Sequence, residues 1–256
     1  MSNSRLIAVV GATGAQGGGL VRAILGDPTG GFTVRALTRK TASDKAQALT
    51  RAGAEVVEAD LDSVESLTKA FTGAHGVFAL TNFWEHFSGD KELEQAKNLA
   101  EAARRAGVKH VIWSTLEDSR KFIPLDDPRM PTLQGHYKVA HFDAKGEADA
   151  EFARLGVPTT YLLTSFYWEN FIHFGAGPTK GPDGVLGLTL PMGDRLLPGI
   201  AVEDIGKCAY GIFKAGDAYV GKRVGIAGEH LTVAQMAAAF TKALGQPVRY
   251  NEVSPD

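Results

Sequence analysis

The chain has 256 residues, a formal net charge of −2 and one cysteine, Cys208. That length suits one sizeable domain, or a large and a small lobe sharing a core. The charge leaves no basic footprint for nucleic acid, a lone cysteine excludes an internal disulfide, and no apolar run reaches the ~18 residues of a membrane span.

The opening stretch, MSNSRLIAVVGATG, carries one basic residue and then a short strand pattern, which is not a secretory signal. With the single cysteine it points to the cytoplasm. Strand and helix patterns then alternate, as expected for a parallel sheet wrapped by helices. RLIAVV (5–10) reads as a buried strand, GGGLVRAIL (17–25) as a helix and FTVRALT (32–38) as a strand. SDKAQALTRAG (43–53) is a helix stopped by Gly53, and AEVVEAD (54–60) a strand. DSVESLTKAFTG (62–73) is a helix with Asp62 and Glu65 spaced as a capping box. GVFAL (76–80) is a strand, and DKELEQAKNLAEAARRAGV (90–108) a long helix ending at Gly107. HVIWST (110–115), a helix over about 137–155, and TTYLLT (159–164) complete the regular alternation.

Past residue 165 the alternation weakens. A Gly/Pro loop, GAGPTKGPDG (175–184), leads to short strand patterns at 185–190 and 195–201. VEDIGKCAYGIF (202–213) is a helix with Asp204 near its start, RVGIAG (223–228) a strand, and TVAQMAAAFTKALG (232–245) a helix between Thr232 as N-cap and Gly245 as stop. The expected fold is α/β: a doubly wound Rossmann sheet over residues 1–164, then a smaller C-terminal lobe over 165–256. Segments 202–213 and 223–228 are expected to return to the main sheet.

The strongest motif is Gly11-x-x-Gly14-x-x-Gly17, set between the first strand and the first helix, where a dinucleotide fingerprint belongs. Gly11 permits the tight turn, Gly14 lets the backbone approach a pyrophosphate, and Gly17 lets the helix pack on the strand. The helix N-terminus directs free N–H groups at the phosphates. An NAD site wants Asp or Glu at the end of the second strand; this chain has Thr38-Arg39-Lys40. Arg39 and Lys40 can attract a 2′-phosphate, Arg39 best because its planar fork matches it, so NADP(H) is the expected cofactor. The alternative is that both are solvated surface charges. Asp60 and Leu61 end the third strand, where an adenine amino group and ring would lie, or Asp60 merely flanks the next helix. Thr81, Asn82 and Phe83, in LTNFWEHF (80–87), stand where a nicotinamide ribose would sit; this aromatic loop also suits a lid or a partner surface. There is no G-x-S-x-G elbow for a hydrolase, and no metal-ligand spacing among the seven His.

The segments VVGATGAQGG, TRK, ALTNFWE, VIWSTLED, HFDAKGEAD and FYWENF resemble the NmrA-like family of atypical short-chain dehydrogenase/reductases, including its redox sensors. The likeness runs over nearly the whole chain. It implies NADP(H) binding through Gly11, Ala12, Thr13, Gly14, Ala15 and Gln16, then Arg39, Thr81, Asn82 and Lys145, and the segment Tyr167, Trp168, Glu169 and Asn170. Family members of this type extend further, with C-terminal helices beyond the NEVSPD that ends this chain. Ser165-Phe166 stands where reductases of the broader class usually carry Pro.

In active short-chain reductases a Tyr-x-x-x-Lys helix supplies the chemistry: Lys binds ribose and lowers the Tyr pKa, and Tyr protonates the carbonyl. Here His141 fills the Tyr slot ahead of Lys145, and Ser114 matches the substrate-orienting Ser. Tyr137 is expected one turn before His141, too far along the helix to be the acid. His141 is either an altered acid or a helix residue hydrogen-bonded within the cleft. Two functions follow. One is an NADP(H)-binding regulator in which the cofactor orders loops 39–45 and 81–90 for a partner to read. The other is an NADPH-dependent reductase of a carbonyl or quinone with a changed proton donor. A regulatory protein partner and a homodimer are compatible with either; direct nucleic-acid and membrane contacts are not expected.

Overall fold

The computed structural model describes residues 4–254; the first three residues of the leader reading and the last two of NEVSPD lie outside that range. In chain order the elements begin with β1 (Arg5–Val9), α1 (Ala15–Leu25), β2 (Phe32–Thr38), α2 (Asp44–Arg51), β3 (Glu55–Glu58), α3 (Val64–Phe71), β4 (Gly76–Ala79) and α4 (Gly89–Ala106). They continue with β5 (His110–Thr115), α5 (Ala140–Arg154), β6 (Thr159–Leu163), β7 (Phe166–Tyr167), α6 (Asn170–His173), β8 (Thr179–Lys180), β9 (Leu186–Leu190) and β10 (Leu197–Ile200). The last are α7 (Val202–Ala215), β11 (Arg223–Gly225), β12 (Glu229–Leu231), α8 (Val233–Leu244) and β13 (Val248–Glu252). Two compact units result: one runs to Leu163 and takes in Ile205–Gly225, the other is Thr164–Asp204 with the chain from Ile226 onward.

The first unit holds a seven-stranded sheet in the order β11-β6-β5-β4-β1-β2-β3, and every pairing is parallel. The strand alternation explains how both faces are covered. Ala8, Val10, Val77, Ala79, Val111 and Trp113 pack with Leu67 of α3, Leu99 of α4 and Phe152 of α5. The opposite parity meets α7: Phe213 lies against the Cα of Gly76, where an added Cβ would come within 2.7 Å of it, and 5.3 Å from the His110 ring. Gly206 of α7 meets the backbone of Gly19 and Leu20 so closely that a side chain would collide. The Gly17-Gly18-Gly19 run is therefore read twice, once by β1 and once by α7. Strands are added outward from β1 on one side as β2 and β3 and on the other as β4 to β6, and this switch between β1 and β4 opens the crevice where open α/β sheets bind ligands.

The second unit has two three-stranded sheets, β12-β10-β7 and β13-β9-β8. Leu188, Val233, Met236, Ala237 and Val248 form its core. Thr232 and Gln235 make a reciprocal capping box at α8, and Gly245 closes that helix in the left-handed region, φ 66°.

Three local expectations are corrected. The cap of α3 is Ser63, whose hydroxyl accepts from Ser66 N; Asp62 instead accepts from Gln95 and Lys91 of α4, and these contacts hold its pKa below the usual carboxylate range. The helix carrying His141 starts at Ala140 rather than near 137. Tyr137 is thus outside it: fully buried, with its hydroxyl donating to Asp90 at 2.9 Å and its pKa raised by burial. It buttresses the loop and is unsuited to donate a proton. Among the described residues no helix is long and apolar enough to cross a membrane.

Candidate functional site

The site is built from the loops that leave the C-terminal ends of β1, β2, β4 and β5, and from α5. Gly11 turns the chain at φ 64°, a region L-residues avoid. A Cβ on Gly17 would stand 2.5 Å from Gly11 O and 2.8 Å from Val10 O, so only Gly lets α1 start this close to β1. Gly14 is exposed and has only Gly11 O near the place of its missing Cβ, at 3.2 Å. It caps α1 without a side-chain hydrogen bond, leaving the first-turn N–H groups for an anion. Ala12 is buried beneath this loop, and Thr13 is half-buried. Ala15 and Gln16 open the helix, and Gln16 Oε1 accepts from buried Ser114 Oγ at 2.8 Å. This hydrogen bond joins the Gly-rich loop to the end of β5.

Arg39 and Lys40 follow β2 and line an open pocket of about 460 Å³ with Thr41, Ala42, Ser43 and Glu58. Another pocket, about 560 Å³, belongs to the second unit and includes none of the expected site residues. Arg39 is not waiting alone. Its Nη1 and Nη2 fork the carboxylate of Glu85 at 2.8 and 2.9 Å, and Asn82 Nδ2 donates to the same carboxylate at 3.1 Å. Asp60 is exposed and accepts from Asp62 N in a local turn, while Leu61 packs on the core and its carbonyl accepts from Asn98.

Lys145 points into the fold. Its Nζ donates to Thr81 O at 3.1 Å and Thr81 Oγ1 at 2.8 Å, and pairs with Glu92 Oε1 at 2.9 Å. Glu92 is wholly buried on α4, also accepts from Thr81 Oγ1 at 2.5 Å, and leaves its Oε2 without a partner. His141 lies under an aromatic cover, 5.5 Å from the Phe83 ring and 5.1 Å from Trp84. Burial lowers its pKa, and of the neighbouring charges Glu92 pulls it up while Lys145 pushes it down. The imidazole is therefore neutral at neutral pH. Phe83 is buried beneath, whereas Trp84 and Phe87 are 60% and 62% exposed. Phe87 adopts φ 54°, held there by Gln134 Nε2 donating to its carbonyl.

Gly11 to Gly17, Arg39, Lys40, Asp60, Leu61, Thr81, Asn82, Phe83, Ser114, His141 and Lys145 all belong to the first unit; Tyr167 to Asn170 belong to the second. There Trp168 N donates to Ile200 O, its ring packs on Gly199 and Phe171, and the Glu169 carboxylate accepts from Val202 N. Three residues escaped sequence reasoning. Glu85 ends the ALTNFWE segment, but nothing local gives its carboxylate a role. Glu92 had a signal: it falls on the Ala96, Leu99, Ala103 face of α4, a charge on an apolar stripe. Asp143 is buried and gathers Ser119 N and Oγ with the N–H groups of Lys138 and Val139, which sets where α5 begins.

A Gly-turned loop at the switch point of a parallel sheet ordered 3-2-1-4-5-6-11 defines a Rossmann-type dinucleotide-binding fold. The model of the NmrA-like family matches residues 3–256, and the chain belongs to that family. It is 31% identical over 269 residues to the NmrA-like family domain-containing oxidoreductase FrzB of a Cladobotryum species, covering 98% of this chain and 76% of that protein. Crystal structures of NmrA, a negative transcriptional regulator, superpose in complex with NADP at TM-score 0.83 and with NAD at 0.82. Both are 29% identical, covering 98% of this chain and 75% of NmrA. The NADPH-dependent quinone oxidoreductase QOR2 of Escherichia coli, complexed with NADPH, superposes at 0.73 with 26% identity, over 97% of this chain and 78% of that one.

Proposed function

We propose that this chain binds NADP(H) and acts as a regulator that reads the cofactor with little or no turnover. The observation that carries this reading is the proton-donor slot. His141 is neutral there and covered by Phe83 and Trp84. The lysine that would sharpen an acid is neutralised by buried Glu92. An acid that is unprotonated at working pH gives little general-acid catalysis. Gly11 to Gly17 receive the pyrophosphate, Arg39 and Lys40 the 2′-phosphate, and Thr81, Asn82 and Lys145 the nicotinamide ribose. The NADP-bound NmrA structure supports the cofactor. The exposed Trp84 and Phe87 beside the site support a protein partner, and a homodimer and a cytoplasmic location are part of this reading.

A second reading, an NADPH-dependent reductase of a carbonyl or quinone, is favoured by Ser114 held at the loop by Gln16 and by the oxidoreductase names of the relatives. One experiment separates them. NADPH and NADH are titrated by fluorescence, and NADPH consumption is then followed with aldehydes, ketones and quinones. The regulator predicts binding, no turnover, and altered protease cleavage in loops 39–45 and 81–90. Steady NADPH oxidation abolished by His141→Ala establishes the reductase instead.

A further inference from the structure

The fork expected to hold a 2′-phosphate already holds a carboxylate. Arg39 follows β2 and Glu85 follows β4, and these strands flank β1 on its two sides. The pair therefore closes across the end of β1 from which the Gly-rich loop departs. Both terminal nitrogens of Arg39 are used, at 2.8 and 2.9 Å, in the two-toothed arrangement that a guanidinium offers to phosphate oxygens. The pair is open to water, with 65% of the Arg39 side chain and 45% of that of Glu85 exposed, so it opens at low cost.

We propose that Glu85 is a specificity-determining residue: it occupies Arg39 as an internal stand-in for the 2′-phosphate and sets the margin by which NADP(H) is preferred over NAD(H). This rests on the NADP(H) reading of the site. A 2′-phosphate carries more negative charge than one carboxylate and takes over the fork. The 2′-hydroxyl of NAD(H) brings no charge and leaves the pair closed. Every NADP(H) molecule must therefore displace Glu85, and its apparent affinity is reduced by the fraction of molecules in which Arg39 is free. NAD(H) meets no such competition. Asn82 Nδ2 remains to receive the displaced carboxylate.

The test is calorimetric titration of 2′,5′-ADP and 5′-AMP, which differ only in the phosphate under discussion, against wild type, Glu85→Gln, Arg39→Ala and the double variant. Gln keeps the size of Glu85 and an acceptor for Asn82. Glu85→Gln is expected to bind 2′,5′-ADP roughly two- to six-fold more tightly than wild type, with 5′-AMP unchanged. On the Arg39→Ala background the same substitution is expected to give no gain, because there is no fork to release. An equal gain with and without Arg39 means a general charge effect and overturns the exchange. So does Glu85→Gln binding 2′,5′-ADP no better than wild type. If wild type binds 2′,5′-ADP no better than 5′-AMP, the NADP(H) reading itself fails, and this inference falls with it.

Discussion

Removing one member of the Lys145–Glu92 pair tests how this site is held. The side chains are 12% and 0% exposed, so water screens them little. In Lys145→Met the Glu92 carboxylate keeps only Thr81 Oγ1, and its Oε2 is already without a partner. A stranded buried carboxylate costs about 3–5 kcal/mol. In Glu92→Gln the lysine keeps Thr81 O and Oγ1 and some solvent, and the amide still offers an acceptor, so the cost falls to about 2 kcal/mol. The double variant strands no charge and should cost only about 1–2 kcal/mol, less than Lys145→Met alone. Urea unfolding of the four proteins gives the cycle. Single costs that add within about 0.5 kcal/mol would refute the reasoning, because they would mean the two groups do not meet.

Arg39→Ala should weaken NADPH by about 1–2 kcal/mol and NADH much less, the gain of a forked phosphate contact being partly offset by the ion pair it replaces; equal losses for both cofactors would discard Arg39 as the phosphate ligand. Gly14→Val should nearly abolish binding of either cofactor with the melting temperature little changed. Gly17→Ala should instead destabilise by about 1–3 kcal/mol or more, because its Cβ would meet Gly11 O at 2.5 Å. His141→Ala should leave NADPH affinity within a few-fold in calorimetry, whereas Lys145→Ala should weaken it by about 1–2 kcal/mol. Acid should destabilise the fold through His110, whose pKa burial lowers from 6.5 to about 4. Its Nε2–H donates to Thr160 Oγ1, because that hydroxyl itself donates to Tyr219 O, and burial holds the folded ring neutral until the pH approaches about 4. Stability is then full well above pH 6.5, and about 3 kcal/mol is lost as pH falls towards 4, because between the two pKa values the unfolded chain binds the proton and the folded ring largely does not. A urea midpoint whose pH dependence is the same in His110→Gln would contradict this.

Much of the fold was legible because its signals are local. β2 and β5 run as the sequence predicts, and Gly107 and Gly245 stop their helices with left-handed residues. The misread boundaries are where a distant group intervenes. Asp62 looked like a cap but is drawn off by Gln95 and Lys91, and Ser63 takes its place. The start of α5 is set by Asp143, which ties Lys138 and Val139 to Ser119 across the loop. β13 pairs with β9, far back in the chain, and no local pattern announces such a register.

The sequence by itself determined the Gly11–Gly14–Gly17 turn, the alternating strands and helices, and the replacement of Tyr by His141, since each depends on backbone freedom or side-chain identity within a few residues. Only the tertiary structure decided which charges meet. Arg39 finds Glu85, 46 residues away, because β2 and β4 both flank β1, and Lys145 finds Glu92 because α4 and α5 pack on one face of the sheet. An ion pair is a property of what folding brings within about 4 Å, and that proximity is not encoded near either partner.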